Sequence, residues 1–308
     1  MIVSASYKTD IPAFYGEWFL NRLRAGYCMM LNPYNRKLAS RISLLRQDVD
    51  GFVFWTKNAG PFLDALEEVH RRTYPFVVQY TINAYPRTLE FSVTDATRAL
   101  KHAALIATRY GAKSLVWRYD PIVFSSETPL ERHIEAFAWL AGRLEGVTDE
   151  VAISFAQMYE KTKRNMDWAS REFKFDWTDP DDRTKRNLMR ELLKIALSRK
   201  MKLTLCSQPY LIEPGVEESR CIDARRLSAL TGGEIHAHLK GARKECGCFE
   251  SKDIGDYDTC PHGCVYCYAV QNRGLAQGRY RRHDPLGDLL FEADKLAKEE
   301  GGQQSLFR

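Results

Sequence analysis

Gly51-Phe-Val-Phe-Trp-Thr-Lys-Asn-Ala-Gly-Pro-Phe-Leu-Asp-Ala-Leu-Glu-Glu-Val-His-Arg71 holds the fold in miniature. Residues 51–55 are continuously apolar, as a strand covered on both faces should be, and the polar Thr56-Lys57-Asn58 follows at once. From Pro61 to Arg71, Leu63, Leu66 and Val69 recur at helical spacing and define one apolar stripe. A strand, a polar turn and a helix of this length make one βα unit.

The same alternation extends in both directions. Short β-rich runs occupy residues 2–6, 27–31, 76–82, 114–119, 151–155 and 203–206. Helical patterns occupy 12–25, 94–110, 130–144 and 181–199. Seven or so units of this kind predict an α/β fold on a parallel sheet, as a partial or full TIM-type (β/α) barrel. In such a barrel the active face is built from strand C-termini and the loops after them. Here those positions carry Ser6-Tyr7-Lys8-Thr9-Asp10; Thr56, Lys57 and Asn58; Asn83; Arg118-Tyr119-Asp120-Pro121; Gln157; and Ser207-Gln208. A doubly wound open sheet is the competing architecture. Residues 1–240 are expected to form the barrel. Residues 241–308 are expected to form a C-terminal segment over its mouth, with 240–259 an ordered loop and helices over 269–277 and 285–298.

The chain has 308 residues, 44% hydrophobic and 28% charged, which excludes a disordered chain. It has no apolar run near the roughly 20 residues of a membrane span. The net charge of +5 permits a nucleic-acid partner and compels none. Residues 1–6 lack a basic start followed by a long apolar run, so a cytoplasmic location is expected. In that reducing setting, thiols bind metal or do redox chemistry more often than they form disulfides. Five of the eight cysteines, Cys246, Cys248, Cys260, Cys264 and Cys267, crowd into residues 246–267.

Cys260-Pro-His-Gly-Cys264-Val-Tyr-Cys267-Tyr268 spaces three thiols as C-x3-C-x2-C on a tight loop. Three thiolates on a four-iron cluster leave the fourth iron open to a substrate or cofactor. The alternative is a structural zinc, with Cys246, Cys248 or His262 as the fourth ligand.

The motif, with Tyr266 before its last cysteine, resembles the signature of the radical S-adenosylmethionine (radical SAM) superfamily. Cys-x-Tyr-Cys-Tyr is close to the form found in spore photoproduct lyase and its relatives. The resemblance implies that Cys260, Cys264 and Cys267 ligate a [4Fe-4S] cluster and that Tyr266 contacts the adenine of S-adenosylmethionine. It implies reductive cleavage of that cofactor to a radical that modifies a small-molecule substrate, with electrons from a flavodoxin or ferredoxin. In ordinary members the motif follows the first strand. Its late position here implies a circularly permuted barrel in which the cysteine unit precedes residues 2–6 in space. On that mapping Ser4, Ser6 and Thr9 bind the methionyl amino group, Lys57 holds its carboxylate, and Arg118 and Asp120 line the cavity. The whole chain also resembles a bacterial family whose members begin with Ser-Ala-Ser and Thr-Asp-Ile-Pro and end in this motif.

For Cys246 and Cys248, three uses are open beside a bland loop role: ligands of a second cluster, thiol or electron delivery to substrate, or, with Cys221, a grip on a thiophilic acceptor such as trivalent arsenic. The last would suit transfer of a 3-amino-3-carboxypropyl group. A DNA photoproduct lyase-like repair enzyme and a zinc-stabilised barrel protein are further alternatives. Cys28 and Cys206 read as small core residues. His236 and His238 share one side of an expected strand and read as solvated. The basic run at residues 279–283 reads as a solvated face or a docking site for an acidic electron donor.

Overall fold

The computed structural model describes residues 1–32, 35, 38–241 and 245–292. Its first half runs β1 (Ile2–Ala5), α1 (Ile11–Phe14), α2 (Gly16–Ala25), β2 (Tyr27–Leu31), β3 (Ala39–Ser43), β4 (Gly51–Thr56), α3 (Leu63–Arg71), β5 (Phe76–Thr81), α4 (Ala96–Tyr110), β6 (Leu115–Ile122) and β7 (Phe124–Ser125). The second half runs α5 (Leu130–Leu144), β8 (Glu150–Phe155), α6 (Glu160–Phe173), β9 (Trp177–Thr178), α7 (Asp182–Ser198), β10 (Lys202–Leu205), β11 (Glu217–Glu218), α8 (Ala224–Thr231), β12 (Ser251–Asp253) and α9 (Arg273–Arg281).

Eight strands form one parallel sheet in the order β11-β10-β8-β6-β5-β4-β1-β12. From β1 to β11 each new strand is added on the same side. With right-handed crossovers, that order puts the connecting helices on one face. Alternate residues then divide between two cores. Phe52, Phe54, Val78, Tyr80, Trp117, Tyr119, Val151 and Ile153 pack with Trp18, Phe19, Leu66, Ala103, Phe137 and Leu192 from the helices. Ile2, Val53, Val77, Val116 and Ala152 pack on the other face against Ala224 and Leu227 of α8. The backbone N–H of Phe249, just before β12, donates to Ile222 O, just after β11, at 3.0 Å. The two edges of the sheet therefore come round toward each other, which gives a mixed α/β fold compatible with a partial barrel.

Several elements differ from expectation. Residues 27–31 lie outside the main sheet, because β2 pairs antiparallel with β3. Only Cys28 of that strand is buried, too little apolar surface for a two-faced position. Residues 251–253 are a sheet strand, not loop, paired with β1 through Ile2↔Ser251, Val3↔Lys252 and Ser4↔Asp253. Three residues carry no periodicity, and the strand survives because its buried aspartate is fully hydrogen-bonded. The last helix starts late: Asn272 caps it by accepting from Leu275 N at 2.8 Å. Residues 285–292 are turns and bends, while 293–308 lie outside the described residues. Two helices were not expected from the sequence: α6, which buries Thr162, Met166 and Ala169, and α8, which buries Ala224 and Leu227. His236 and His238 lie outside any strand, exposed between half-buried Ile235 and Ala237. No helix among the described residues is long and apolar enough to cross a membrane.

Candidate functional site

The loop after β12 carries Cys260, Cys264 and Cys267. Its shape follows from Pro261 and from Gly263, whose φ of 75° lies in the left-handed region that glycine adopts at little cost. The loop is zipped to residues 89–92: Ser92 N donates to His262 O at 2.9 Å, Val265 N donates to Leu89 O at 3.1 Å, and Glu90 and Cys264 form an antiparallel bridge. His262 anchors it to the first βα turn, with Nε2 2.7 Å from Asp10 Oδ2. Asp10 also accepts from Lys57 N at 2.7 Å and from Ala13 N at 2.9 Å, so one carboxylate ties the loop, α1 and the end of β4 together.

All three thiols line one cavity of about 510 Å³, with Trp168, Phe91, Arg164, Arg171 and Arg273 around it. Burial, with Asp10 and Cys267 nearby, pushes the Cys260 thiol up to about 12. Burial raises Cys264 and Cys267 as well. Yet each sulfur has a partner suited to a thiolate. Ala269 N donates to Cys267 Sγ at 3.3 Å, the backbone N–H groups of His262 and Asp10 favour charge on Cys260 as that of Val270 does on Cys267, and Cys264 faces the Lys57 charge. Such a set is neutral until a cation replaces the thiol protons, as the donor set of an iron–sulfur cluster requires.

Lys57 Nζ pairs with Glu90 Oε1 at 2.8 Å, and the Tyr266 hydroxyl donates to the same oxygen. Burial opposes the Lys57 charge, but Glu90, Cys264 and Asp120 outweigh it and hold the ammonium above its ordinary range. Burial, then Glu90 and Cys264, hold the Tyr266 phenol far above its own. Lys57 and Glu90 also line a second cavity, of about 530 Å³, with Asn83, Arg87 and Arg132.

Ser4 and Ser6 both donate to Asp253, at 2.9 and 2.7 Å, and Tyr7 N and Gly255 N add bonds of 3.0 Å to the same carboxylate. Lys8 Nζ lies 3.5 Å from it. Thr9 is buried, and its hydroxyl has no partner among the described residues. Arg118 and Asp120 face inward on β6 as a buried ion pair of 2.6 Å, and Ser154 donates to Asp120.

Cys246 and Cys248 are brought to Cys221 and Cys206, in the apolar cluster beneath α8, while Cys264 belongs to a separate cluster with Leu89, Met166 and Tyr266. With those cysteines elsewhere and both ring nitrogens of His262 engaged, by Asp10 and by Ser92 O at 3.4 Å, the candidates for a fourth zinc ligand at the loop are committed to other contacts. Among the described residues no three His, Cys, Asp or Glu side chains converge on one point. A cluster sets its thiolates on separate irons and does not need that convergence.

Glu90, Asp10 and Asp253 belong to no spacing motif, whereas His262 sits within the cysteine motif. Glu90 and Asp10 act on a loop far from them in sequence, and only the Asp-Ile-Pro helix start at Asp10 is a local signal. No characterised protein and no solved structure matches the chain significantly. Residues 2–269 match the model of a domain of unknown function, DUF1848, and the chain belongs to that family.

Proposed function

We propose that the chain is a radical SAM enzyme whose Cys260, Cys264 and Cys267 hold a [4Fe-4S] cluster and whose barrel mouth binds S-adenosylmethionine and a small-molecule substrate. The observation that carries this reading is the loop itself: three thiols at C-x3-C-x2-C spacing, lining one cavity, each sulfur supplied with N–H donors or a lysine charge. The strand order supports a permuted barrel, because β12, the cysteine loop and α9 form a βα unit set beside β1 in parallel. When bound, the cluster would supply one electron for reductive cleavage of the cofactor.

The chain's own residues have distinct parts in this reading. Lys57 and Glu90 are a buried cation and anion beside Cys264, so together they suit a zwitterionic amino acid: the ammonium of Lys57 for its carboxylate, the carboxylate of Glu90 for its amino group. Tyr266 orients Glu90. The unpartnered Thr9 hydroxyl is free to bond the cofactor, whereas Ser4 and Ser6 serve by positioning Asp253 and the turn after β1. Arg118 and Asp120 shape the inner wall. Trp168, Val265 and Val270 keep water from the cysteines. Arg164, Arg171 and Arg273 give the cavity mouth a positive rim that suits an acidic flavodoxin or ferredoxin.

Anaerobic purification and reconstitution tests the reading. The wild-type chain should be brown, hold about four irons, and with a strong reductant convert S-adenosylmethionine to 5′-deoxyadenosine. Cys264→Ala should lose both iron and turnover. A wild-type chain that takes up no iron and sulfide would overturn the assignment. Release of 5′-methylthioadenosine instead would place the cleavage on the methionyl side.

A further inference from the structure

Four other thiols meet on the inner face of the sheet. We propose that Cys206, Cys221, Cys246 and Cys248 form a binding site for one thiophilic divalent ion of the zinc class, separate from the loop of Cys260. Cys206 follows β10, Cys221 follows β11, and Cys246-Gly-Cys248 leads toward β12, so three distant stretches supply the set. Cys206 Sγ lies 3.6 Å from Cys221 Sγ. Cys221 and Cys248 lie in one buried cluster, with Cys206 and Cys246 packed against it.

Two of these sulfurs have N–H donors aimed at them: Arg118 Nη1 donates to Cys221 Sγ at 2.8 Å, and Ile222 N donates to Cys248 Sγ at 3.4 Å. A neutral thiol is a weak acceptor and gains little from N–H donors, whereas a thiolate gains the strength of charge-assisted bonds. Deprotonated together, the four sulfurs would need a cation beyond the single Arg118, which Asp120 already pairs. Soft sulfur donors select zinc and its neighbours over magnesium or calcium.

As the chain stands, no three of the sulfurs surround one point. Cys206 and Cys221 are spaced by an S–H contact. Each thiol that binds the ion releases one proton to solvent, which removes that contact and frees the sulfurs to turn toward a common centre. The ion would fasten residues 246–248, otherwise joined to the body by bonds such as Phe249 N to Ile222 O and Lys240 N to Cys248 O, across the two edges of the sheet.

The zinc and alkylation arms of the test are independent of the radical SAM reading, and the iron arms separate the two sites. The full-length wild-type chain, stripped with a chelator, is titrated with zinc, and its cysteines are then alkylated and mapped by mass spectrometry. About one zinc per chain should bind and should protect Cys206, Cys221, Cys246 and Cys248 while leaving Cys260, Cys264 and Cys267 as reactive as before. Cobalt(II) in place of zinc should give thiolate-to-metal absorption. Cys248→Ser should weaken zinc at least about 100-fold with iron loading unchanged, and Cys264→Ala should lose iron while keeping zinc. Protection of the Cys260 loop by zinc, no change in the alkylation of the four thiols, or iron and sulfide retained in Cys264→Ala would each overturn the proposal, the last in favour of a second cluster.

Discussion

Cys260, Cys264 and Cys267 lie within one turn-rich loop whose backbone is bonded to residues 89–92, whereas Cys206, Cys221, Cys246 and Cys248 are gathered from three stretches by the sheet and α8. The first group is shaped locally by Pro261 and Gly263, and the second exists only when the strands are in register. The first opens on a cavity rimmed by arginines, and the second is sunk against apolar residues with one guanidinium beside it. Local backbone geometry can thus present reactive thiols to a cavity, while tertiary packing makes a closed set suited to fastening the fold. A line of buried charges connects the two groups: Lys57 lies beside Cys264 and near Asp120, Asp120 pairs with Arg118, and Arg118 touches Cys221.

The strongest way to break the contrast is to cut that line. Lys57→Met leaves Glu90 buried without its cation, a change of the kind that costs about 3–5 kcal/mol. Urea denaturation should show the loss, and Lys57→Met/Glu90→Leu should recover much of it. A single variant as stable as wild type would mean that the two groups are not joined through this pair. Next in size is Asp253→Asn, which turns one acceptor into a donor where Ser4, Ser6, Tyr7 N and Gly255 N converge. We expect a loss of about 1.5–3 kcal/mol, with faster amide exchange in β1 and β12. Exchange unchanged in those strands would show that the edge is held by something other than this carboxylate.

The same contrast explains what could be read from residues alone. Continuous apolar runs such as Phe52-Val-Phe54 and Val77-Val78 are buried on both faces, so the central strands and their order of helices were plain. The C-x3-C-x2-C spacing was plain because a loop ligand set is contiguous. What escapes is whatever depends on register. Cys206 looks like a core residue at the end of an apolar strand, and nothing in the chain between residues 206 and 246 announces that it touches Cys221. Glu90 is unremarkable until the bridge to Cys264 sets it against Lys57 and Tyr266. β12 needed Asp253 and its partners from β1 to become a strand at all.

Glycines inside the two groups give the finest comparison. Gly263 has a φ of 75°, and a Cβ there would lie 2.9 Å from Arg273 Cδ and 3.1 Å from the Phe91 ring. Gly247, between Cys246 and Cys248, has no positive φ, and the nearest atoms to an added Cβ would be those of the Glu218 carboxylate at 2.6–2.7 Å. That carboxylate is the free end of a side chain that is 40% exposed and can swing away. Left-handed backbone alone costs an L-residue about 1–2 kcal/mol, so Gly263→Ala should lower stability by about that amount. Gly247→Ala should stay within about 0.5 kcal/mol of wild type. Thermal denaturation of both variants measures the difference. If Gly247→Ala proved the more damaging, residues 246–248 would have to be as tightly formed by their own backbone as the Cys260 loop, and the distinction between a locally shaped set of thiols and a gathered one would fail.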